Sequence, residues 1–294
     1  MLCFHIGLPK TATTFLQRHV LPTIAGVDFA HKGADRGARR MMRRLRAHCQ
    51  RGRRAADAYP QLVAQLRARL DAAAAADSCL LVSDENISML VHGIWTGEGA
   101  CPGAVAARLQ GLAAALGPRA GAVRIIIGIR AQAPWLASRY AESAKVTAAA
   151  RADIVFGQPD FERRVNALLE DPAPGGPRGW LDYAHVYDSF ADRFGRANLL
   201  FLPLEAVAEM NTAAGAAHVA AFLGLSAPQA PPGTPPGTAP GPRPSNALAQ
   251  GAGRWRLKSG HGLVELTPAL EAAVAARFAA ANAGLRDRTG LALP

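Results

Sequence analysis

The sequence predicts an α/β fold in which a central, mainly parallel sheet is flanked by helices. Short apolar runs recur along the chain, and each is followed by residues with helical spacing of apolar positions, the alternation expected of such a sheet. The run VRIIIGI has no polar alternation, as expected of a strand buried on both faces. The chain has 294 residues, half of them hydrophobic, and can bury a large core. We expect one domain over residues 1–294.

Four apolar runs end abruptly at polar residues or glycine, and these are the predicted strands. They are Leu2 to Gly7, Cys79 to Val82, Val123 to Ile129 and Asn198 to Leu202. A shorter segment, Val27 to Ala30, predicts a further strand at the edge of the sheet. Helices are predicted where apolar residues recur three or four positions apart. These segments are Thr13 to Val20, Tyr59 to Ala76, Pro134 to Ala150, Tyr183 to Phe194 and Leu266 to Asn282.

Residues 226–246 differ from the rest of the chain, because eight prolines interleave with three glycines there. This composition is typical of an extended connector or a mobile loop within the domain, not of a packed element.

The formal net charge of +11 indicates a surface that attracts anionic partners. No secretory signal is recognisable, and no stretch reaches the roughly 20 apolar residues that span a bilayer. We therefore expect a cytoplasmic protein without a membrane span. The four cysteines form no C-x-x-C pair and the eight histidines no H-x-x-x-H spacing, so no protein-bound metal is predicted.

A phosphate-binding loop is predicted between the first strand and the first helix. The segment Gly7 to Thr14 reads GLPKTATT. In a strand, loop and helix of this kind, backbone N–H groups and the positive end of the helix dipole face an anion. The Walker pattern G-x-x-x-x-G-K-[ST] is not met, because Ala12 replaces its second glycine and Thr13 its lysine. The displaced Lys10 argues against ordinary ATP or GTP hydrolysis.

The segment HIGLPKTATTF resembles the 5′-phosphosulfate loop, P-K-T-G-T-T, of sulfotransferases that use 3′-phosphoadenosine 5′-phosphosulfate (PAPS). The resemblance implies the P-loop NTPase-like sulfotransferase fold, and a role for Lys10 at the bridging oxygen of the phosphosulfate. It also implies that the loop threonines and backbone amides hold the 5′-phosphate. The binding residues would be Pro9, Lys10, Thr11, Ala12, Thr13 and Thr14. The alternative is a strand-to-helix turn with incidental threonines.

A second pattern lies more than a hundred residues further on. Arg130 follows a predicted strand, and Ser138 would lie one turn into a helix that has Pro134 in its first turn. An arginine fork and a hydroxyl can bind one phosphate together. The pattern resembles the family's 3′-phosphate motif, which implies that Arg130 and Ser138 bind the 3′-phosphate of PAPS. The alternative is an unrelated arginine and serine, and Trp135 and Tyr140 are predicted to pack.

Two carboxylates, Asp84 and Glu85, end the strand-like run CLLVS. An acceptor hydroxyl must lose its proton as it attacks sulfur, so a general base is needed near the loop. Many carbohydrate-directed members of the resembled family use a glutamate, and we predict Glu85 in this role with Asp84 in reserve. His5 and His92 are weaker candidates.

Two other interpretations of these carboxylates stay open. The run LLVSDE is also similar to a Walker B segment, which would bind Mg²⁺ in a P-loop kinase or NTPase. Alternatively, Ser83 or Asp84 only caps a helix from Asn86 to Val91.

Nine arginines occur in nineteen residues, from Arg36 to Arg54. This pattern favours a solvated helix with Met41, Met42 and Leu45 turned inward. A cationic rim that gathers an anionic acceptor is a second possibility, and a polyanion-binding protein without catalysis is a third. No nucleic-acid motif or interleaved aromatic residue accompanies the arginines, so a nucleic-acid partner is not expected.

Together these features predict a sulfotransferase that moves a sulfuryl group from PAPS to a hydroxyl or amine. Glu85 would take the acceptor proton and Lys10 would stabilise charge on the leaving phosphate oxygen, without a metal. Carbohydrate, lipid, peptide and small-metabolite acceptors all stay open, and an anionic acceptor is one of the options. The rival function is that of a P-loop kinase or NTPase.

Overall fold

The structure, a computed structural model, describes residues 1–52, 57–90, 92–150, 156–171, 175–209, 212–226, 249, 253–258, 262–291 and 293. Five parallel strands form one sheet with the order β2-β3-β1-β4-β5. They are β1 (Leu2–His5), β2 (Val27–His31), β3 (Cys79–Ser83), β4 (Val123–Ile129) and β5 (Leu199–Pro203). The predicted α/β fold with a parallel sheet is confirmed, and β2 is an edge strand as expected.

Helices flank this sheet. They are α1 (Thr13–Phe15), α2 (Arg36–Arg51), α3 (Tyr59–Ala75), α4 (Gly93–Thr96), α5 (Pro102–Leu116), α6 (Gln132–Ala150), α7 (Gln158–Leu169), α8 (Tyr183–Phe194), α9 (Leu204–Glu209), α10 (Thr212–Phe222) and α11 (Pro268–Thr289). After α1 the chain continues as a π-helical turn (Leu16–Val20) and a 3₁₀ turn (Leu21–Thr23). All five predicted helices are present, but α4, α5, α7, α9 and α10 were not predicted.

The sheet separates two hydrophobic cores, because successive residues of a strand point to opposite faces. Phe4 and Ile127 contribute to the larger core, together with residues of α2, α3, α5, α6, α8 and α11. Cys3 and Ile126 contribute to the smaller core, together with residues of the π-helical turn and α10. Every residue of β1 and β3 is buried, which explains why these strands show no polar alternation.

A short antiparallel pair, β6 (Arg254–Arg256) and β7 (Leu263–Glu265), lies outside the main sheet. It packs beside α6, where the N–H of Lys258 donates to the carbonyl oxygen of Ala141 at 2.8 Å. Among the described helices, none is long and apolar enough to cross a membrane. Of the predicted connector, only residue 226 belongs to the described part of the chain, and residues 227–246 lie outside it.

The backbones of β1 and β4 stay in contact beyond the last residue of β1. The N–H groups of Ile6 and Leu8 donate to the carbonyl oxygens of Ile126 and Gly128, at 2.9 and 2.8 Å. A Cβ atom on Gly7 would lie only 2.8 Å from the nitrogen of Gly128, a distance that side chains do not tolerate. The close approach therefore requires glycine, and it fixes the start of the loop against β4.

We expect Gly128→Ala to lower the free energy of unfolding by about 1–3 kcal/mol, because its new Cβ would lie 2.6 Å from Oγ1 of Thr11 and overpack a filled site. Gly111→Ala is the matched control, since Gly111 lies in α5 and a Cβ added there would have no atom within 4 Å. It should raise stability by about 1 kcal/mol through helix propensity. Urea unfolding measures both changes, and equal effects would contradict the packing explanation.

Candidate functional site

A tight loop joins β1 to α1 at the edge of the sheet where the carboxyl ends of the strands meet. Two of its residues have left-handed backbone conformations, Lys10 with φ 69° and Ala12 with φ 58°. Ala12 thus adopts the conformation that glycine adopts most easily, and holding an alanine there costs about 1–2 kcal/mol. Ala12 can therefore replace glycine in this turn, but its backbone is strained there.

The loop presents a set of backbone donors. The N–H groups of residues 10–14 make no hydrogen bond to any residue that the structure describes, and α1 begins without a side-chain cap. Unsatisfied N–H groups at the start of a helix bind anions, because the positive end of the helix dipole lies there too. The loop can therefore hold a phosphate through its backbone.

The three threonines of the loop have different environments. Thr11 is fully buried, and its hydroxyl donates to the carbonyl oxygen of Leu8 at 2.5 Å. Thr13 is buried at the start of α1, whereas Thr14 is exposed. The hydroxyl proton of Thr11 is thus used within the loop, so the donor that Thr11 can offer to an anion is its backbone N–H.

Two neighbouring segments anchor the loop. The carbonyl oxygen of Pro9 accepts a hydrogen bond from Nε1 of Trp135 on α6 at 2.7 Å. The carbonyl oxygen of Gly7 accepts one from Oγ of Ser88, which follows β3, at 3.2 Å. Trp135 and Tyr140 are both fully buried, which confirms the prediction that they pack. The loop is therefore held from two sides by buried polar contacts.

Lys10 forms an ion pair that the sequence did not predict. Its Nζ lies 3.1 Å from Oε1 of Glu142 on α6. The other oxygen of Glu142 accepts from Nη1 of Arg139 at 2.6 Å, and the fully buried Arg139 also donates to the carbonyl oxygen of Leu90. Burial would raise the pKa of Glu142, but Arg139 and Lys10 hold it below its ordinary value. Nζ of Lys258 also lies 3.6 Å from Oε1 of Glu142, so three cations around one carboxylate leave positive charge beside the loop.

Glu85 lies just beyond β3, and both of its carboxylate oxygens are engaged. Oε1 accepts from Nζ of Lys32 at 2.8 Å, and Oε2 accepts from Nε2 of Gln17 in the π-helical turn at 3.2 Å. Burial would raise the pKa of Glu85, but Lys32 and the hydrogen bonds hold it below its ordinary value. Glu85 is thus ionised at neutral pH, and Gln17 connects it to the helix that follows the phosphate loop.

His5 lies beneath this network. Its Nδ1 is 2.7 Å from Oγ of Ser83, which also accepts a hydrogen bond from Gln17 at 3.0 Å. Nε2 of His5 is buried and has no hydrogen-bond partner within the described ranges. Burial lowers the pKa of His5 to about 4, so the ring is neutral at physiological pH. His92, the other histidine candidate, is 35% exposed and lies 3.5 Å from Glu98.

The side chain of Asp84 makes structural contacts through both of its oxygens. Its Oδ1 accepts from the backbone N–H of Asn86, which caps a 3₁₀ turn (Glu85–Ile87), and its Oδ2 accepts from Nε of Arg46 at 2.5 Å. Burial raises the pKa of Asp84, although Arg46 opposes this shift. Of the helix that the sequence allowed from Asn86 to Val91, the described residues form one short 3₁₀ turn, and residue 91 lies outside them. No group of three or more His, Cys, Asp or Glu side chains suited to a metal occurs in the described part of the chain.

Arg130 and Ser138 lie at the carboxyl end of β4 and on α6. Arg130 is half-buried, and its Nε has no hydrogen-bond partner among the residues described. Burial lowers the pKa of the Arg130 guanidinium, while Glu205 and Tyr183 oppose this shift. Ser138 is fully buried. Arg130 is therefore a cation with donor capacity at the same edge of the sheet as the loop.

The arginine-rich segment forms α2 as predicted, with Met41, Met42 and Leu45 buried. Arg46 turns toward Asp84 and connects this helix to the segment that carries Glu85. Arg53 and Arg54 lie outside the described residues.

The chain has the fold of a known sulfotransferase structure. It is similar to the crystal structure of a sulfotransferase from Alicyclobacillus acidocaldarius, with a TM-score of 0.50 and 16% sequence identity over 99% of this chain and 96% of that chain. No protein-family model and no curated protein matches the sequence. At this identity the similarity shows the fold, a parallel α/β sheet flanked by helices.

We expect Ala12→Gly to stabilise the protein by about 1 kcal/mol, because it relieves the left-handed conformation of Ala12. Ala107→Gly is the control, since Ala107 is exposed within the right-handed helix α5 and glycine there should cost about 1 kcal/mol. Urea unfolding at neutral pH measures both. A loss of stability in Ala12→Gly would show that the loop does not hold this conformation in solution.

His5 should make the protein less stable in acid. In the unfolded chain its pKa is close to 6.5, whereas burial lowers it to about 4 in the folded protein. The unfolded state therefore binds the proton first, and about 3 kcal/mol of stability is lost as the pH falls from 6.5 to 4. Unfolding between pH 4 and 7 should show a shallower dependence in His5→Gln. His218→Gln, at an exposed position on α10, should behave like the wild type, and an unchanged slope in His5→Gln would refute the assignment.

Proposed function

We propose that the protein is a sulfotransferase that moves a sulfuryl group from PAPS to a hydroxyl or amine of an acceptor. The observation that carries this proposal is the loop after β1. Its five backbone N–H groups have no hydrogen-bond acceptor among the described residues. The loop also has a left-handed turn at Ala12 and the side chain of Lys10. Backbone N–H groups at the start of a helix bind a phosphate, and a lysine can stabilise the negative charge that the phosphate gains as a leaving group.

The donor would be held at two places along the carboxyl edge of the sheet. In this proposal the loop from Pro9 to Thr14 surrounds the 5′-phosphate, and the donors are the backbone N–H groups of residues 10–14 and the hydroxyls of Thr13 and Thr14. Arg130 and Ser138 bind the 3′-phosphate. Nε of Arg130 is buried and has no hydrogen-bond partner among the described residues, which supports this role, because a buried N–H without an acceptor is costly and a bound phosphate would supply one.

Two side chains would act on the reacting atoms. Glu85 takes the proton from the acceptor hydroxyl as the oxygen forms its bond to sulfur. Lys10 stabilises the negative charge that the phosphate oxygen gains as the bridging bond to sulfur breaks. The lowered pKa of Glu85 keeps the carboxylate ionised before the reaction begins, as a base must be, but it also makes Glu85 a weaker proton acceptor as long as Lys32 is paired with it.

The environment of Asp84 counts against the rival kinase or NTPase function. Asp84 is the residue that would hold Mg²⁺ in a Walker B segment, yet one oxygen caps a turn and the other accepts from Arg46. A carboxylate that is engaged in this way has little capacity left for a metal ion. The binding experiment below separates the two functions.

Calorimetry with 3′-phosphoadenosine 5′-phosphate, the product of the proposed reaction, tests the donor site. Binding should be independent of Mg²⁺ and at least tenfold tighter than binding of 5′-AMP, which lacks the 3′-phosphate. Arg130→Ala should remove this difference, since a hydrogen bond to a charged group contributes about 1.5–3 kcal/mol. Arg196→Ser, at an exposed position before β5, is the control. Mg²⁺-dependent ATP binding without affinity for the product would refute the proposal.

The catalytic assignments need a second measurement. A screen with radiolabelled PAPS against carbohydrate, lipid, peptide and small-molecule acceptors should reveal transfer. Glu85→Gln should then slow turnover by about 10²–10⁴-fold while the affinity for the product nucleotide stays unchanged. Equal turnover in Glu85→Gln and wild type would exclude Glu85 as the base.

A further inference from the structure

A cationic rim lies at the carboxyl end of β2 and along the outer face of α2, with one further member on the π-helical turn after α1. Its six members are all exposed side chains, namely Arg18, Lys32, Arg36, Arg39, Arg40 and Arg43. The helix contributes seven arginines and no acidic residue between Arg36 and Arg51, while its inner face is buried in the larger core. Positive charge is therefore concentrated on one side of α2.

The charge of this rim is largely uncompensated. Lys32 is its one member with an ion pair to a described residue, and its partner is Glu85. Asp35, the nearest acidic residue in sequence, pairs instead with Arg69 of α3. Like charges that lie close together repel, and a bound anionic partner relieves this repulsion. The rim therefore favours a partner with negative charge.

The rim is in direct contact with the proposed base. Nζ of Lys32 is 2.8 Å from Oε1 of Glu85, and the Lys32 side chain is 46% exposed whereas that of Glu85 is 13% exposed. Nε of Arg39 reaches the carbonyl oxygen of Lys32 at 3.5 Å. Burial lowers the pKa of His31, and the positive charges of Lys32 and Arg18 lower it further. Arg18 therefore lies near Lys32 and His31 at the carboxyl end of β2. One oxygen of Glu85 is thus covered by a side chain that solvent can reach.

We propose that the acceptor carries an anionic group near its reacting hydroxyl, and that this group draws Lys32 away from Glu85. The proposal rests on the sulfotransferase function given above. The Lys32 ammonium group exchanges one carboxylate for another anion, and this step involves no proton transfer. Oε1 of Glu85 is then free to accept the hydroxyl proton. The same contact selects the acceptor and uncovers the base.

An acidic oligosaccharide fits the rim best. The positions from Arg36 to Arg43 extend about 10 Å along the helix axis at 1.5 Å per residue, so the rim can contact several anionic groups in a row. Single-stranded nucleic acids depend on aromatic side chains for base stacking, and no Phe, Tyr or Trp occurs between Lys32 and Gln50. A glycan with repeated carboxylates or sulfates needs only the cations and offers the hydroxyl that the reaction requires.

An octasaccharide of chondroitin 4-sulfate tests the rim, because it presents both carboxylates and sulfates. Its desulfated and methyl-esterified form is the neutral match. With product nucleotide saturating, the anionic form should bind in a salt-dependent way and the neutral form at least tenfold more weakly. Lys32→Met and Arg39→Ser should each weaken binding of the anionic form about tenfold, whereas Arg196→Ser should not. Equal binding of the two glycans, or tighter binding of a single-stranded oligonucleotide, would overturn the proposal.

Calorimetry with the product nucleotide keeps this test separate from that of the sulfotransferase function. Lys32→Met and Arg39→Ser should bind the nucleotide as the wild type does, because neither lies in the proposed donor site. If the nucleotide binds and the anionic glycan does not, the acceptor proposal is wrong while the function stands. If neither the wild type nor any variant binds the nucleotide, the proposed sulfotransferase function is itself wrong.

The displacement of Lys32 has its own readout. The chain contains four lysines, so NMR can resolve their side-chain Cε–Nζ groups, and Lys32→Arg identifies the Lys32 signal by its absence. This signal should shift when the anionic octasaccharide binds and stay unchanged with the neutral form. An unmoved Lys32 signal at saturating anionic glycan would show that the lysine stays on Glu85.

Discussion

The backbone contact between β1 and β4 is the constraint on which the site depends. Hydrogen bonds from Ile6 and Leu8 to β4, and the close approach of Gly7 to Gly128, carry the pairing of the two strands into the loop. The contact directs the loop toward α6, where Nε1 of Trp135 donates a hydrogen bond to the carbonyl oxygen of Pro9. The loop is therefore shaped by packing before any ligand binds, which lowers the entropy that binding must overcome.

Electrostatic pairing between elements completes the site. Glu85, Asp84 and Glu142 follow β3 or lie on α6, and each meets a cation from a different part of the chain, namely Lys32, Arg46 and Lys10. Carboxylates at this depth would otherwise be destabilised by burial. Because each pair joins two elements, the ion pairs also fix how α2, the phosphate loop and α6 lie around the carboxyl edge of the sheet.

The fold could be predicted from the sequence because its strands are short apolar runs with abrupt ends. The loop could be predicted because a glycine, a lysine and three threonines follow β1 directly. The helix α5 was missed because alanine and glycine dominate it, which weakens the periodic signal. Arg139 and Glu142 were missed for a different reason. Their spacing of three is common on helices, and only the tertiary structure brings Lys10 to them. The left-handed turn at Ala12 was hidden because alanine disfavours it.

The ion pair between Lys32 and Glu85 has a consequence for side reactions. A transferase that keeps an activated donor in a site open to solvent risks losing the group to water. Water carries no charge, so it competes for Lys32 less strongly than an anionic group does, and the pair covers the base for more of the time while water alone is present. On the proposed function, this pair would protect the donor from wasteful hydrolysis until an acceptor of matching charge arrives.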